Sequence, residues 1–171
     1  MYQYYEPQLP DYVYNMNMED LRLCKWADDS STKQLPETGT YLLILQLRYP
    51  LQLEVGSLGK IMFKHGYYVY VGSARRGLRH RVSRHLSYDK KIKWHIDNIT
   101  VKHNMKPILV VTSGMAVECD LAHQLSSVSD FHVSKFGSSD CRCPSHLFYF
   151  NNYTKLMRAI KNTMESVEQL G

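Results

Sequence analysis

The chain has 171 residues, 44% of them hydrophobic and 22% charged, with a net charge of +5. That length and balance suit one globular domain with a sizeable core and argue against a disordered chain. The opening MYQYYEPQLP has neither a basic start nor an apolar centre, and the longest apolar stretch, Tyr41–Leu47, is far too short to span a bilayer. A cytoplasmic location is therefore expected, with cysteines 24, 119, 141 and 143 serving as thiols or metal ligands rather than disulfides. Charge is unevenly spread: residues 1–38 hold seven acids against three bases, a net of −4, so the remainder carries +9.

In chain order, residues 1–16 are rich in tyrosine and read as an irregular arm packed on the domain. Asn17 is placed to cap a short helix over Met18–Trp26, with Glu19 and Asp20 near its positive end. Residues 28–38 are polar and contain Pro36, and they read as a linker. Four strands follow, over Tyr41–Arg48, Leu51–Val55, Ile61–Phe63 and Tyr67–Val71, with Gly56, Gly59 and Gly66 supplying turns. A basic helix over Gly77–Tyr88 and a short one near Lys93–Ile99 come next. Pro107–Thr112 fits a buried strand, Met115–Leu125 a helix and His146–Phe150 a late strand. The last helix runs over Tyr153–Gln169, with Leu156, Ile160, Met164 and Val167 at core-facing spacing. The expected fold is an α/β (α+β) single domain with a small antiparallel or mixed central sheet flanked by helices. Residues 1–38 form its acidic arm, 39–150 its core and 151–171 a C-terminal helix packed on that core.

Three features carry chemistry. Tyr41 and Tyr70 sit on predicted strands beside Gly39 and Gly72, and adjacent strands bring two such phenols together, although ordinary sheet packing also uses tyrosine. On the basic helix, Leu78, Val82 and Leu86 form an apolar ridge. Arg81 and His85, four residues apart, form the ridge beside it and point one guanidinium and one imidazole the same way. The plainer alternative is an arginine lying over the core beside a surface histidine. Glu118 falls within the apolar stripe of its helix, where an ionised carboxylate needs a cation, either an arginine or a hard metal ion. Around the basic helix, Arg75, Arg76, Arg79, Arg81, Arg84, Lys90, Lys91 and Lys93 face only Asp89, a stripe that suits phosphates and equally suits a solvated face.

Taken together, Gly39-Thr40-Tyr41, Tyr70-Val71-Gly72, Arg81-Val82-Ser83-Arg84-His85 and Glu118 resemble the signature of the GIY-YIG nuclease superfamily. The order and spacing over roughly residues 39–150 are most similar to its Uri-type branch. That branch also shows stretches like Gly66–Ala74, Trp94-His95-Ile96-Asp97 and residues 139–148. The segment between Tyr41 and Tyr70 is longer than in the compact homing and repair nucleases, room for an extra strand pair. The resemblance implies a metal-dependent endonuclease acting on nucleic acid, with DNA the expected partner and no membrane role. It implies one Mg²⁺ or Mn²⁺ on Glu118 and catalytic roles for Tyr41, Tyr70, Arg81 and His85, with His80 assisting. Tyr70, followed by His80 and Arg81 on the next helix, is the favoured partner of the attacking water. Arg75, Arg76, Arg79, Arg84, Lys90, Lys91 and Lys93 would hold the substrate backbone with little sequence preference.

Two clusters stay open on sequence. Cys141-x-Cys143-x-x-His146, preceded by Asp140, offers ligands that zinc favours, yet it lacks an evident fourth ligand and its Cys-x-Cys spacing is tight. His95 and Asp97 are two residues apart and cannot share a helix face: extended, they converge on the site, and helical, one becomes a core hydrogen-bonding group. Two rival readings stand beside the nuclease: a nucleic-acid-binding module of the same fold that does not cut, and a zinc-stabilised interaction domain. The acidic arm is suited to masking the basic face.

Overall fold

A computed structural model describes residues 22–25, 35–101 and 104–168 of the chain. Residues 1–21 and 26–34 lie outside that description, and with them the expected irregular arm and most of the linker. The strands are β1 (Arg22–Lys25), β2 (Gly39–Leu47), β3 (Leu51–Glu54), β4 (Lys60–Phe63), β5 (Gly66–Ala74), β6 (Lys106–Ser113), β7 (Phe131–His132) and β8 (Leu147–Phe150). The helices are α1 (Leu78–Leu86), α2 (His95–Thr100), α3 (Glu118–Val128) and α4 (Tyr153–Glu168). Among the described residues six strands form one sheet in the order β1-β6-β2-β5-β8-β7, every neighbouring pair antiparallel. The fold is thus α+β, as the sequence pattern predicts.

Strand β2 lies in the middle, paired to β5 on one side and β6 on the other. Its side chains alternate between two cores, because successive residues of a strand face opposite sides of the sheet. Leu42 and Ile44 join Val69, Val71, Val111, Phe148 and Phe150 against α3 and α4. Tyr41, Leu43 and Leu45 join Tyr68, Val110, Leu147 and Tyr149 against Leu78 and Val82 of α1 and Ile96 and Ile99 of α2. Helices cover both faces, so the central strand is apolar along nearly its whole length. Helix α4 docks through Leu156, Ile160, Met164 and Val167, each buried, at the spacing expected.

The longer stretch between the two tyrosine strands folds as a separate hairpin, β3 against β4, turned around Gly56 and Gly59, both with positive φ. Val55 and Phe63 plug this hairpin into the second core.

Two elements differ from expectation. The helix predicted over Met18–Trp26 is contradicted at Arg22–Lys25, which instead pairs with Leu109–Thr112 at the edge of the sheet. A sheet edge with free backbone groups offers more hydrogen bonds than four residues of isolated helix provide. The helix predicted from Met115 begins at Glu118. Thr40 Oγ1 donates to the Met115 carbonyl (2.8 Å) and accepts from the Val117 N–H (3.1 Å), holding this approach in an open turn. The short strand β7 was not anticipated.

Candidate functional site

The register of β2 and β5 sets the centre of the site. Tyr41 lies opposite Gly72, and Tyr70 lies opposite Leu43, so the tyrosines are diagonal neighbours on one face. Their ring centroids are 6.3 Å apart. The Tyr41 ring lies directly over Gly72, where a Cβ would overlap its phenol carbon and hydroxyl. The glycine of the Tyr-Val-Gly stretch is therefore a space requirement of the other tyrosine.

Helix α1 brings His85 beneath these rings. The Tyr41 hydroxyl and His85 Nε2 are 2.6 Å apart in a buried contact, and the Tyr70 ring stands 6.0 Å from the imidazole. Burial and the nearby Lys90 charge lower the His85 pKa to about 3. The ring is thus neutral, and with Nε2 as acceptor the Tyr41 hydroxyl donates. Burial, and then the neighbouring Tyr70, raise the Tyr41 pKa well above its ordinary value, with Arg81 pulling the other way. Burial followed by the Glu118 charge raises that of Tyr70, again opposed by Arg81.

Asp97 of α2 lies behind His85, its side chain wholly buried. One of its oxygens accepts from Arg84 (2.7 Å) and from the backbone N–H groups of Lys93 (2.8 Å) and Trp94 (3.0 Å). Burial pushes its carboxyl up, but these bonds outweigh burial and hold the pKa below the usual carboxylate range. Its other oxygen is 4.0 Å from His85 Nδ1, too far for a direct hydrogen bond, so it acts on the imidazole through charge. Of the two options for the His95/Asp97 pair, the helical one holds, with Asp97 the core group. His95 instead turns to the loop, where its Nδ1 accepts from the Gly137 N–H (3.2 Å).

The arginines and lysines divide. Arg84 and Lys90, expected to hold substrate, are turned inward: Arg84 binds Asp97, and Lys90 donates to the Arg84 and His85 carbonyls (2.9 and 3.1 Å). Anchoring a buried carboxylate outweighs exposure for these two. Arg75, Arg76, Lys91 and Lys93 are exposed and Arg79 is half-buried, leaving outward bases before, on and after α1. Arg81 stacks 4.9 Å from the Trp94 ring, which Arg84 and Lys93 also approach, a triple cation–π arrangement. His80 is exposed on α1, away from the buried His85.

Glu118 enters at the first residue of α3 rather than mid-helix. Its side chain is 30% exposed, and one oxygen lies 3.3 Å from His146 Nδ1 while the other accepts from the Ser73 hydroxyl. Burial raises its pKa, but the His146 and Ser73 bonds and the Arg81 charge leave it below the ordinary value. The carboxylate is therefore ionised and half-open, able to take a further ligand on its exposed side.

A second cluster adjoins it. The ligand atoms of Cys119, Cys141, Cys143 and His146 all lie within 4.8 Å of one another, and such a set can hold a metal ion. Cys119 supplies the fourth candidate ligand that the local Cys-x-Cys-x-x-His pattern lacks; it follows Glu118 directly, and that adjacency is the one sequence signal for it. Asp140 is exposed beside the cluster and is not part of it. Among the described residues no helix is long and apolar enough to cross a membrane.

No curated protein and no solved structure matches the chain at a significant level. A family model described as a domain of unknown function, DUF123, matches residues 40–169, from the first strand of the tyrosine pair through the last helix. Because that match spans most of the sequence and every element of both sites, the chain belongs to the DUF123 family.

Proposed function

We propose that this protein is a metal-dependent endonuclease that hydrolyses nucleic-acid phosphodiester bonds, DNA foremost, at a site of GIY-YIG type. One observation carries the reading: Tyr41, Tyr70, Arg81, His85 and Glu118 come from four separate elements and interact with one another, with exposed bases in the segments flanking α1. The contact of the Tyr41 hydroxyl with His85 Nε2 at 2.6 Å ties that arrangement together.

The residues divide by exposure. Tyr41 and His85 are each 1% exposed and form a rigid wall, whereas Tyr70, Arg81 and Glu118 are half-buried. As the phenolate, which the Arg81 charge favours against burial, Tyr70 orients the attacking water and takes its proton, becoming the neutral phenol. Arg81 also neutralises charge on the phosphoryl oxygens. Neutral His85 fixes Tyr41 as a donor, and the Tyr41 ring sets the position of Tyr70. The half-open carboxylate of Glu118 fits a hard cation that keeps most of its waters, as Mg²⁺ or Mn²⁺ does. Such an ion would bind a phosphate oxygen and stabilise the leaving alkoxide as the P–O bond breaks. Arg75, Arg76, Arg79, Lys91 and Lys93 hold the backbone without reading bases.

A second reading, a binding module that does not cut, draws on one feature: both Glu118 oxygens already have protein partners. Labelled duplex, flap and single-stranded DNA and RNA incubated with Mg²⁺ or Mn²⁺ distinguish the two. Cleavage by the wild type that disappears in Glu118→Ala while binding survives supports the nuclease. Binding without cleavage on every substrate would overturn it in favour of the binding module.

A further inference from the structure

Glu118 does not stand alone in the cleft. It is joined on two sides to the cluster of Cys119, Cys141, Cys143 and His146, once through the chain and once through an imidazole. The cluster assembles from distant parts of the sequence. Cys119 sits in the first turn of α3, Cys141 and Cys143 in the loop before β8, and His146 directly ahead of β8. The loop is well fixed: the Lys135 N–H donates to the Pro144 carbonyl (2.8 Å), the His146 N–H to the Phe136 carbonyl (2.7 Å) and the Val71 N–H to the His146 carbonyl (2.9 Å). Cys143 and His146 are buried, and Cys119 lies at the surface.

The donor set selects the ion. Three thiolates and one imidazole form a closed tetrahedral set of the kind that structural zinc uses, whereas Mg²⁺ and Ca²⁺ require oxygen. A tetrahedral zinc with usual bond lengths places sulfur about 3.6 Å from nitrogen. Cys141 Sγ and His146 Nε2 are 3.3 Å apart here, so they share one edge of such a tetrahedron with little adjustment. The two nitrogens of His146 point to different partners: Nε2 to the sulfur cluster and Nδ1 to Glu118 at 3.3 Å. That is the arrangement in which a metal-bound imidazole donates its other N–H to a carboxylate.

We propose that Cys119, Cys141, Cys143 and His146 bind one zinc ion, and that His146 transmits this binding to Glu118, making the zinc a positioning device for the carboxylate of the reactive cleft. The metal-binding half stands on the four ligands alone, and the positioning half rests on the nuclease reading. Zinc bound at Nε2 leaves Nδ1 as an obligatory N–H donor, so one Glu118 oxygen is fixed as its acceptor. Binding at Cys119 anchors the helix turn from which Glu118 projects. The other Glu118 oxygen is held by Ser73 of β5. Loading releases the thiol protons as the three sulfurs become thiolates, and no oxidant or reductant takes part.

The test uses the whole chain, purified without chelator and assayed for metal content. One zinc per chain is expected. Replacement by Co²⁺ should give the intense visible bands of tetrahedral cobalt with thiolate-to-metal charge transfer in the near ultraviolet. No bound zinc after reconstitution, or an octahedral cobalt spectrum, would overturn the site. Because Cys143→Ser removes a buried ligand and is at risk of failing to fold, the coupling is read in Glu118→Gln, whose side chain is partly exposed. Loss of the carboxylate behind His146 should weaken zinc affinity in competition with a chromophoric chelator by roughly 10- to 100-fold with the tetrahedral spectrum retained. Unchanged affinity would sink the link to Glu118 and leave an isolated structural zinc. These readouts require no cleavage, so an inactive protein that binds zinc with this dependence would defeat the nuclease reading and leave the site standing.

Discussion

The two tyrosines differ in what surrounds them, and that difference predicts different phenotypes. Tyr70→Phe removes the hydroxyl of the half-buried tyrosine. Cleavage should fall at least about 100-fold, the usual scale for losing a general base, with the denaturation midpoint nearly unchanged. Tyr41→Phe instead strips the donor from buried His85 Nε2, so the folded state should lose about 1–3 kcal/mol, with a smaller effect on rate. Single-turnover kinetics beside urea melts separate the two, and a reversed pattern would exchange their roles. His85 also sets an acid limit. Its folded pKa, about 3, lies below that of an unfolded histidine, so the unfolded chain takes up the proton first. The stability it contributes is complete above about pH 6.5 and drains away as pH falls towards 3, by up to about 1.4 kcal/mol per unit. Asp97, whose folded pKa is also depressed, extends the loss further into acid. A urea midpoint constant from pH 6 to pH 5 would show that His85 is not buried in neutral form.

At the scale of elements, β2 and β5 place both tyrosines through one register, and Gly72 is where that register is most constrained. Gly72→Ala would drive a methyl into the Tyr41 ring and should cost about 1–3 kcal/mol by overpacking, visible as a lower thermal midpoint. These strands were legible in the sequence, because apolar runs and glycine-bounded turns mark them locally. Helices α1 and α4 were legible for the same reason, their ridges repeating every four residues. The strand at Arg22–Lys25 was not, since its partner lies more than eighty residues away and its own residues favour a helix as readily. The start of α3 was missed because Thr40, on another strand, fixes the turn before it. Cys119, read only as a thiol or metal ligand in general, was not joined to Cys141, Cys143 and His146 for a similar reason: those residues lie across a loop and a strand, and spacing rules see only neighbours. The inward turn of Arg84 and Lys90 was invisible too, because a charge run in sequence does not show which members face a buried carboxylate.

For the whole molecule, that sorting of charges predicts how nucleic acid would be held under the proposed function. Only the outward bases would contribute to the release of counterions from the phosphate backbone. Replacing both Arg75 and Arg76 with alanine should lower the slope of log affinity against log salt by about 2, with the melting temperature unmoved. Arg84→Ala should do the opposite, leaving the slope alone while destabilising the fold by about 1.5–3 kcal/mol through loss of a hydrogen bond to a buried charge. Fluorescence anisotropy titrations at several salt concentrations, paired with melts, test both expectations.

The central position of β2 also bears on how the chain folds as it is made. Its nine residues are synthesised before β5 and well before β6, yet they are flanked by both in the finished sheet. Until residues 106–113 have left the ribosome, an apolar strand with one edge unpaired waits in a growing chain, and such edges invite pairing with other chains. Folding should therefore be slow, with losses to aggregation that rise with concentration, as expected of a sheet whose pairings are mostly non-local.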